Sequence, residues 1–549
     1  MLTRTFLLFT LSCFTSFAYA QVPLPTVKIL TTDPGTGPED RDVPFLAWHE
    51  DLTADGYEEI ELQLSGFANI YDNQGADNDE VNQSPVPVAI SSGNPYTTRM
   101  LLRKPANEED FNGVIYLEIL NATARYDGAP MWNLTYPSII ADGAAWVGVT
   151  YSETAAAFMR DTWGTANRPA PASAQPRNNS RYANLNVPVR DYTWDMLSQA
   201  AALIRSPGAA GNPFGNWPVT AVIITGYSQS AAFSATYANS FYPQYSAQDP
   251  AGPCEPNAAP ENTTCTPIVN GFIIAAGGPS GRRFNGLKSY PIGDPRNFES
   301  GRAKTVRFTS ESDIKSVQVR QTGDAEPALS RTYEAAGTSH VDFWGSEVGN
   351  AVAEYQFGTT GSNTNACRLP LNPLRTGIPL SAIQHRLARW ITFDEEPPAS
   401  RLIEFTGTFA NENAPDEDLS PPAWLRDDGD TDATDGDNGK ADFNVIGGVR
   451  PPRIQIPLGT YYGSNFYDGP ILNPDFPPPA KIFCTGIIGG FDAFDSGQLL
   501  TRYTDRREFV IKTWWLVWTS YIEGFMLAVD AKTIMDEAKV FEGLPPREN

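Results

Sequence analysis

Residues 219–242 read VTAVIITGYSQSAAFSATYANSFY. The first seven are largely apolar, as expected for a β-strand that is buried on both faces of a sheet. The turn Gly226-Tyr227-Ser228-Gln229-Ser230 follows, and the residues from Ala231 onward have the composition of a helix. A strand, a sharp turn with a central serine and a helix together predict that Ser228 is a nucleophile, because such a turn exposes the hydroxyl on a strained backbone.

The residues two positions before and after such a serine must be small, so that strand and helix can approach each other. Gly226 and Ser230 meet this requirement, although glycine is more usual than serine at the second position. The alternative is an ordinary strand-helix turn in which Ser228 caps the helix. The buried strand before the turn favours the nucleophile.

Apolar runs alternate with helical patterns around this turn, which is typical of a mostly parallel sheet flanked by helices. Buried strands are predicted at 114–120, 145–149, 219–225 and 268–275, with a helix at 194–205. Two further strands and an amphipathic helix are predicted at 305–308, 332–335 and 381–390. Residues 59–66 alternate apolar and polar side chains and predict an antiparallel extension of the same sheet.

A nucleophilic serine needs a general base, and the chain contains three histidines, His49, His340 and His385. Strand-turn-helix nucleophiles of this class occur in the chain order Ser, acid, His, which excludes His49. His385 lies on a predicted amphipathic helix, where a solvated position is the simpler interpretation. His340 lies in a loop that follows a predicted strand, and it is therefore the predicted base.

The triad acid is expected just beyond the strand at 305–308, which leads into Thr309-Ser310-Glu311-Ser312-Asp313. Asp313 is the first choice, because the acid commonly falls a few residues beyond the strand end, and Glu311 is a close second. For either residue the alternative is a solvated loop carboxylate. The acid would orient His340 and stabilise its imidazolium.

Backbone N–H groups are expected to bind the oxyanion that forms when the serine attacks. One donor would come from Gln229, and the other from the loop after the strand at 114–120, at Asn121 or Ala122. Glu118 lies within that apolar strand. A buried carboxylate needs hydrogen-bond partners, so we predict a structural role for Glu118 and not a catalytic one.

Seven segments of the chain form a recognisable set: GVIYLEILNATARYD, ADGAAWVGVTYSE, ITGYSQSAAFSATYANSFYP, YEAAGTSHVDFW, IQHRLARWITFDEEPP, IGGVRPPRIQIPLGTY and IEGFMLAVDAK. Through them most of the chain, from about residue 57 to 538, resembles the large and often exported alpha/beta-hydrolase-domain family. The resemblance implies an α/β-hydrolase fold with the C-terminal third packed on the core. It also implies Ser228 and His340 as triad members, without choosing between Glu311 and Asp313.

The predicted organisation is a signal peptide at 1–20, an N-terminal β extension of the sheet at 21–96, an α/β-hydrolase core at 97–400 and a C-terminal elaboration at 401–549. Residues 1–20 combine Arg4, an apolar run too short to span a bilayer and a small-x-small end at Ala18-Tyr19-Ala20. This pattern is typical of a cleaved secretory signal. The protein is therefore predicted to be secreted or periplasmic.

The formal net charge of −24 predicts an acidic surface, and so neither nucleic acid nor membrane as a partner. Four cysteines follow the leader: Cys254, Cys265, Cys367 and Cys484. In an oxidising compartment they predict two disulfides. Cys254 and Cys265 flank a short loop and are paired on that ground, which leaves Cys367 with Cys484 by elimination.

No cofactor and no catalytic metal are predicted, because the cysteines lack zinc-site spacing and histidines are few. An acidic stretch offers oxygen ligands of the kind that Ca²⁺ prefers, at Asp428, Asp430, Asp432, Asp435 and Asp437. The stretch lacks the glycine and terminal glutamate of an EF-hand. A solvated acidic loop is therefore the favoured interpretation, and a calcium site is the alternative.

These patterns predict a serine hydrolase that cleaves small-molecule carboxylic esters through an acyl-enzyme. An amidase or peptidase with the same triad is an alternative that the sequence does not distinguish. A non-catalytic carbohydrate- or partner-binding protein on the same scaffold is a third interpretation, because fold alone does not fix function. The ordered set of Ser228, an acid and His340 argues against it.

Overall fold

The computed structural model describes residues 21–32, 42–73, 85–163, 181–246, 266–277, 281–286, 288–290, 294–297, 301–314, 327–357, 367–404, 442–467, 469 and 479–546. Three predictions fall outside these residues: the signal peptide at 1–20, the Cys254–Cys265 pair and the acidic loop at 428–437.

Within the described residues, the central sheet has nine strands: β1 (Thr26–Leu30), β2 (Tyr57–Asn73), β3 (Pro87–Pro105), β4 (Val114–Ile119), β5 (Ala145–Val149), β6 (Ala221–Tyr227), β7 (Gly271–Ala275), β8 (Lys304–Ser310) and β9 (Ser330–Ala335). Their order across the sheet is β1-β2-β3-β5-β4-β6-β7-β8-β9. The six strands from β5 to β9 in this order are parallel. The predicted mostly parallel sheet is thus confirmed, and each predicted core strand overlaps one of its strands.

The first three strands are antiparallel and extend one edge of the sheet. β3 is buried along its second half, from Thr98 onward, and mostly exposed before that point. The boundary predicted between residues 96 and 97 falls inside this strand. The N-terminal extension and the core therefore share one continuous sheet.

Twelve α-helices lie in the described residues: α1 (Pro130–Asp142), α2 (Glu153–Asp161), α3 (Thr193–Ile204), α4 (Ala231–Thr236), α5 (Glu311–Ile314), α6 (Phe343–Phe357), α7 (Gly377–Phe393), α8 (Pro452–Gln455), α9 (Pro479–Gly486), α10 (Ser496–Arg502), α11 (Arg506–Glu523) and α12 (Ala528–Val540). α3 and α7 correspond to the helices predicted at 194–205 and 381–390. In the described part of the chain, no helix is long and apolar enough to cross a bilayer.

Apolar side chains on both faces of the sheet form the core. Along β4, Ile115 and Leu117 pack with helix α3 in one cluster, whereas Val114 and Tyr116 belong to the cluster on the other face. This alternation follows from the two-residue period of a strand. Because both faces of the parallel strands are buried, candidate reactive side chains lie in the loops at the ends of the strands.

The C-terminal elaboration contains a small antiparallel sheet, formed by β10 (Gly459–Tyr462) and β11 (Gly490–Ala493). It joins the core near the carboxyl ends of β8 and β9. Backbone bridges connect Ala335 with Val449 and Val341 with Ile488. A disulfide connects Cys367 with Cys484, which confirms that predicted pair.

Candidate active site

The strand-turn-helix element holds Ser228 in a left-handed backbone conformation, with φ of +59°, between β6 and α4. A Cβ at Gly226 would lie 2.5 Å from the carbonyl oxygen of Ser230, so only glycine fits there. The hydroxyl of Ser230 accepts a hydrogen bond from the Tyr227 N–H and donates one to the Tyr227 carbonyl, each at 3.0 Å. Ser230 therefore replaces the usual glycine with a side chain that closes the turn.

His340 and Asp313 meet beyond the carboxyl ends of two neighbouring strands, β9 and β8. The His340 Nδ1 lies 2.6 Å from the Asp313 Oδ1, and the two side chains are 12% and 5% exposed. The second oxygen of Asp313 accepts hydrogen bonds from the Ser310 N–H at 2.9 Å and the Ser310 hydroxyl at 2.6 Å. The carboxylate is thereby fixed facing the imidazole.

Two residues that the sequence did not single out hold the backbone of His340. The Tyr227 hydroxyl donates to the His340 carbonyl at 2.7 Å, and the ring centroids of the two side chains are 5.1 Å apart. The Ser312 hydroxyl accepts from the His340 N–H at 2.8 Å. Burial, followed by the nearby Asp313 and Asp342 carboxylates, raises the pKa of Tyr227 well above its usual value, so its hydroxyl stays protonated as a donor.

Glu311, the second candidate acid, is hydrogen-bonded to backbone N–H groups. Its Oε2 accepts from the Gly337 N–H at 3.0 Å, and its Oε1 accepts from the Gly463 N–H at 3.2 Å. The side chain is buried. Glu311 thus joins the loop before His340 to the C-terminal elaboration, and of the two candidates Asp313 is the one bonded to the imidazole.

The structure places the loop after β4 against the serine turn. The Asn121 side-chain amide donates to the Tyr227 carbonyl at 2.9 Å. Its backbone N–H donates to the Gly128 carbonyl at 2.8 Å, in an isolated bridge. Asn121 was predicted as an oxyanion donor, but its N–H is committed to that bridge. Ala122 and Gln229 remain the candidate donors.

Glu118 points from β4 toward the start of α1, where it accepts hydrogen bonds from the Met131 N–H at 2.9 Å, the Trp132 N–H at 3.1 Å and the Trp146 indole at 2.7 Å. It therefore has the hydrogen-bond partners predicted for a buried carboxylate. Burial raises its pKa to about 7, although these bonds act in the opposite direction. Glu118 supplies the cap that α1 lacks at its own N-terminus.

Replacing Glu118 by alanine leaves three buried N–H donors without an acceptor. Because each unpaired buried donor costs about 1–3 kcal/mol, we expect the free energy of unfolding to fall by roughly 3 kcal/mol or more. Urea unfolding followed by circular dichroism measures the change. Glu118→Gln keeps one acceptor oxygen, so its loss should be smaller. Equal losses in the two variants would contradict the capping role.

The other two histidines have different surroundings. His385 on α7 pairs through Nδ1 with the Asp142 Oδ2 at 2.6 Å and is 29% exposed, so it is a partly solvated helix residue, as predicted, with a carboxylate partner. His49 packs on Trp48 with ring centroids 4.5 Å apart, and burial lowers its pKa. Neither residue lines the cavity that contains Ser228.

Ser228, Asp313 and His340 line one cavity of about 800 Å³, together with Asn121. Asp342 also lines it, but accepts from the backbone N–H groups of Gly345 and Thr376, each at 2.5 Å. Asp342 therefore serves as a cap of α6. Among the described residues, no group of three His, Cys, Asp or Glu side chains is placed to hold a metal ion.

The profile of the family described as alpha/beta hydrolase domain matches residues 30–536. A search of curated proteins found no match to this chain. Three similar solved structures are the rice cell wall degrading esterase LipA from Xanthomonas oryzae, the esterase domain of a Rhodothermus marinus protein and a thermostable esterase from Pseudomonas putida.

The LipA structure is 11% identical and covers 57% of this chain and 91% of its own, with a TM-score of 0.26. The Rhodothermus domain is 9% identical and covers 53% and 95%, with a TM-score of 0.23. The Pseudomonas esterase is 12% identical and covers 48% and 66%, with a TM-score of 0.21. Because these TM-scores are low, the assignment of the α/β-hydrolase fold rests on the family match and on the sheet topology.

Proposed function

Because this chain belongs to the alpha/beta hydrolase domain family, we propose that it is a serine hydrolase that cleaves carboxylic esters. One observation carries the proposal. The bonded pair of His340 and Asp313 lines the same cavity as Ser228, whose left-handed backbone is the conformation of a nucleophile in this kind of turn. The proposed roles are nucleophile for Ser228, base for His340 and acid for Asp313.

In the proposed reaction the Ser228 hydroxyl oxygen attacks the ester carbonyl carbon, while the His340 Nε2 takes the hydroxyl proton. Asp313 accepts the hydrogen bond from the His340 Nδ1–H, which fixes the tautomer and stabilises the imidazolium. The negative charge that develops on the carbonyl oxygen is bound by the backbone N–H groups of Gln229 and Ala122. Each such donor is worth about 10²–10³ in rate.

The tetrahedral intermediate collapses when His340 returns the proton to the leaving alkoxide, which departs as the alcohol. The acyl group then remains on Ser228. A water molecule attacks this ester with His340 again as the base, and the carboxylic acid and free Ser228 are released. The proton that His340 takes from water returns to the serine oxygen, so the cycle needs no cofactor.

A fluorophosphonate probe tests the proposal, because it phosphonylates an activated serine far faster than an ordinary hydroxyl. We expect wild-type protein to be labelled and Ser228→Ala to remain unlabelled. Ser346→Ala, which removes a hydroxyl from α6 outside the cavity lining, should label like wild type. If folded wild type is not labelled, the proposal fails and the binding-protein interpretation replaces it.

A matched ester and amide of one acyl group test the reaction class. We expect p-nitrophenyl butyrate to be cleaved and butyryl-p-nitroanilide to be cleaved far more slowly. Faster cleavage of the anilide would replace the esterase proposal with the amidase alternative.

We also propose that the protein is exported after removal of residues 1–20. The disulfide between Cys367 and Cys484 supports this proposal, because such bonds persist in oxidising compartments. N-terminal sequencing of protein recovered outside the cytoplasm should begin at Gln21. Protein that remains in the cytoplasm with Met1 intact would contradict export.

A further inference from the structure

The cavity at Ser228 is larger than an ester group alone requires. Its volume of about 800 Å³ lies in the upper part of the range of about 300–1,000 Å³ that is typical of small-molecule sites. Beyond the polar residues named above, its lining includes the apolar side chains of Leu134, Val341, Phe483 and Ile487. The space beside the catalytic candidates is therefore suited to an apolar group.

Two glycines on different helices open this space. Gly349 lies within α6 and Gly486 ends α9, and both line the cavity. A Cβ built at either position would have no heavy atom of the described residues within 4 Å. Since glycine destabilises a helix interior relative to alanine, the free volume at Gly349 comes at a cost to α6.

Gly345, one helical turn before Gly349, differs from it. It also lines the cavity, but a Cβ there would lie 2.9 Å from the Leu134 Cδ2 and 3.0 Å from the Asp342 Oδ1. Glycine at 345 is thus explained by close packing. At Gly349 no described residue lies within 4 Å of the built Cβ, and Gly349 lines the cavity.

Part of the cavity wall comes from the C-terminal elaboration. Phe483 on α9 lines the cavity with 49% of its surface exposed. The Val341 N–H, next to His340, donates to the Ile487 carbonyl at 2.9 Å. The disulfide from Cys484 to Cys367 holds the same segment. This wall is therefore fixed to the loop that carries the proposed base.

We propose that an apolar alkyl chain or aromatic ring of the ester lies over Gly349 and Gly486 and against Phe483. The substrate class is then an ester with one extended apolar group, and the C-terminal elaboration sets the length that is accepted. This inference rests on the proposed serine hydrolase function.

The test introduces leucine at each open glycine, as Gly349→Leu and Gly486→Leu. The acyl arm compares kcat/KM for p-nitrophenyl octanoate and acetate, and the alkoxy arm compares octyl acetate and methyl acetate. In one arm we expect the ratio of kcat/KM for the long substrate to kcat/KM for the short substrate to fall about tenfold or more. This is the effect expected when leucine excludes one or more methylenes of the long group. The arm that responds identifies the side of the ester that occupies the space.

Glu354→Leu is the matched control, because it adds the same side chain on an exposed position of α6. Its ratios should equal those of wild type. Phe483→Ala should lower kcat/KM for the long substrate more than for the short one. Fluorophosphonate labelling and thermal unfolding of each variant show whether the site and the fold are intact.

The outcomes separate the two proposals. If labelled, folded Gly349→Leu and Gly486→Leu keep the wild-type ratios in both arms, this inference is overturned and the serine hydrolase function stands. If wild type itself is neither labelled nor active on esters, the proposed function fails and this inference fails with it. If one leucine variant does not fold, the ratios measured for the other variant still test this inference.

Discussion

Ser228→Ala is expected to lower kcat for ester hydrolysis by roughly 10⁶-fold, and His340→Ala by about as much. In the proposed mechanism Ser228 and His340 act as one unit, because without either residue the attacking oxygen is not activated. The double variant should therefore be no slower than the single variants. Residual catalysis over water would come from the oxyanion donors and from substrate binding.

Steady-state kinetics on p-nitrophenyl butyrate, with active-site titration of the wild type, measures these effects. Equal thermal unfolding temperatures for the variants and wild type serve as the folding control. Additive losses, with the double variant slower by the product of the two single effects, would show that Ser228 and His340 act independently. That result would contradict the proposed triad.

Asp313→Asn should lower kcat by roughly 10⁴-fold with little change in the fold, because an amide at this position favours the wrong tautomer of His340. The hydrogen bonds from Ser310 to the second oxygen of Asp313 can persist in the variant. The effect is expected in kcat, since in the proposed mechanism this carboxylate orients His340 and does not bind the substrate. Hydrolysis rates at saturating ester concentration measure it.

Glu311→Gln is the matched comparison, because it makes the same change two residues earlier. Glu311 accepts from the Gly337 and Gly463 N–H groups, so its variant should lose stability and keep most of its kcat. Thermal unfolding and kinetics on the same samples separate the two effects. A larger loss of kcat in Glu311→Gln than in Asp313→Asn would reassign the acid to Glu311.

The parallel sheet could be predicted because its strands are short and buried on both faces, which leaves continuous apolar runs such as 145–149. The same rule fails for β3. Its first half is mostly exposed and includes Ser91, Ser92 and Asn94, so no apolar pattern marks it as strand. Pairing with β2 provides its structure instead, and that pairing is not visible in the local sequence.

The choice between Glu311 and Asp313 was open for a geometric reason. Both lie in the single turn α5, where successive residues rotate by about 100°, so residues two apart face nearly opposite directions. Which direction leads to His340 depends on how α5 packs against β9. Composition and order identify the segment, whereas only the packed structure distinguishes its two carboxylates.

The use of the Asn121 N–H and the contact of Tyr227 with His340 could not be predicted, because both depend on how loops fold against each other. The Asn121 N–H is used by a bridge to Gly128, which forms only when the loop folds back on itself. Tyr227 reaches His340 across 113 positions of sequence. Neither contact produces a periodic pattern in the sequence. The position of Tyr227 next to Ser228 is the one local feature that points to it.

The hydrogen bond from the Gly463 N–H to Glu311 joins the C-terminal elaboration to the core, so it limits where the chain can be shortened. A chain truncated after residue 400 would leave the buried Glu311 carboxylate without the Gly463 N–H as a donor. It would also remove the strand-like bridge from Val449 to Ala335, at the end of β9. We therefore expect a chain that ends at residue 400 to have a lower free energy of unfolding than the full chain, because these contacts to the core are lost.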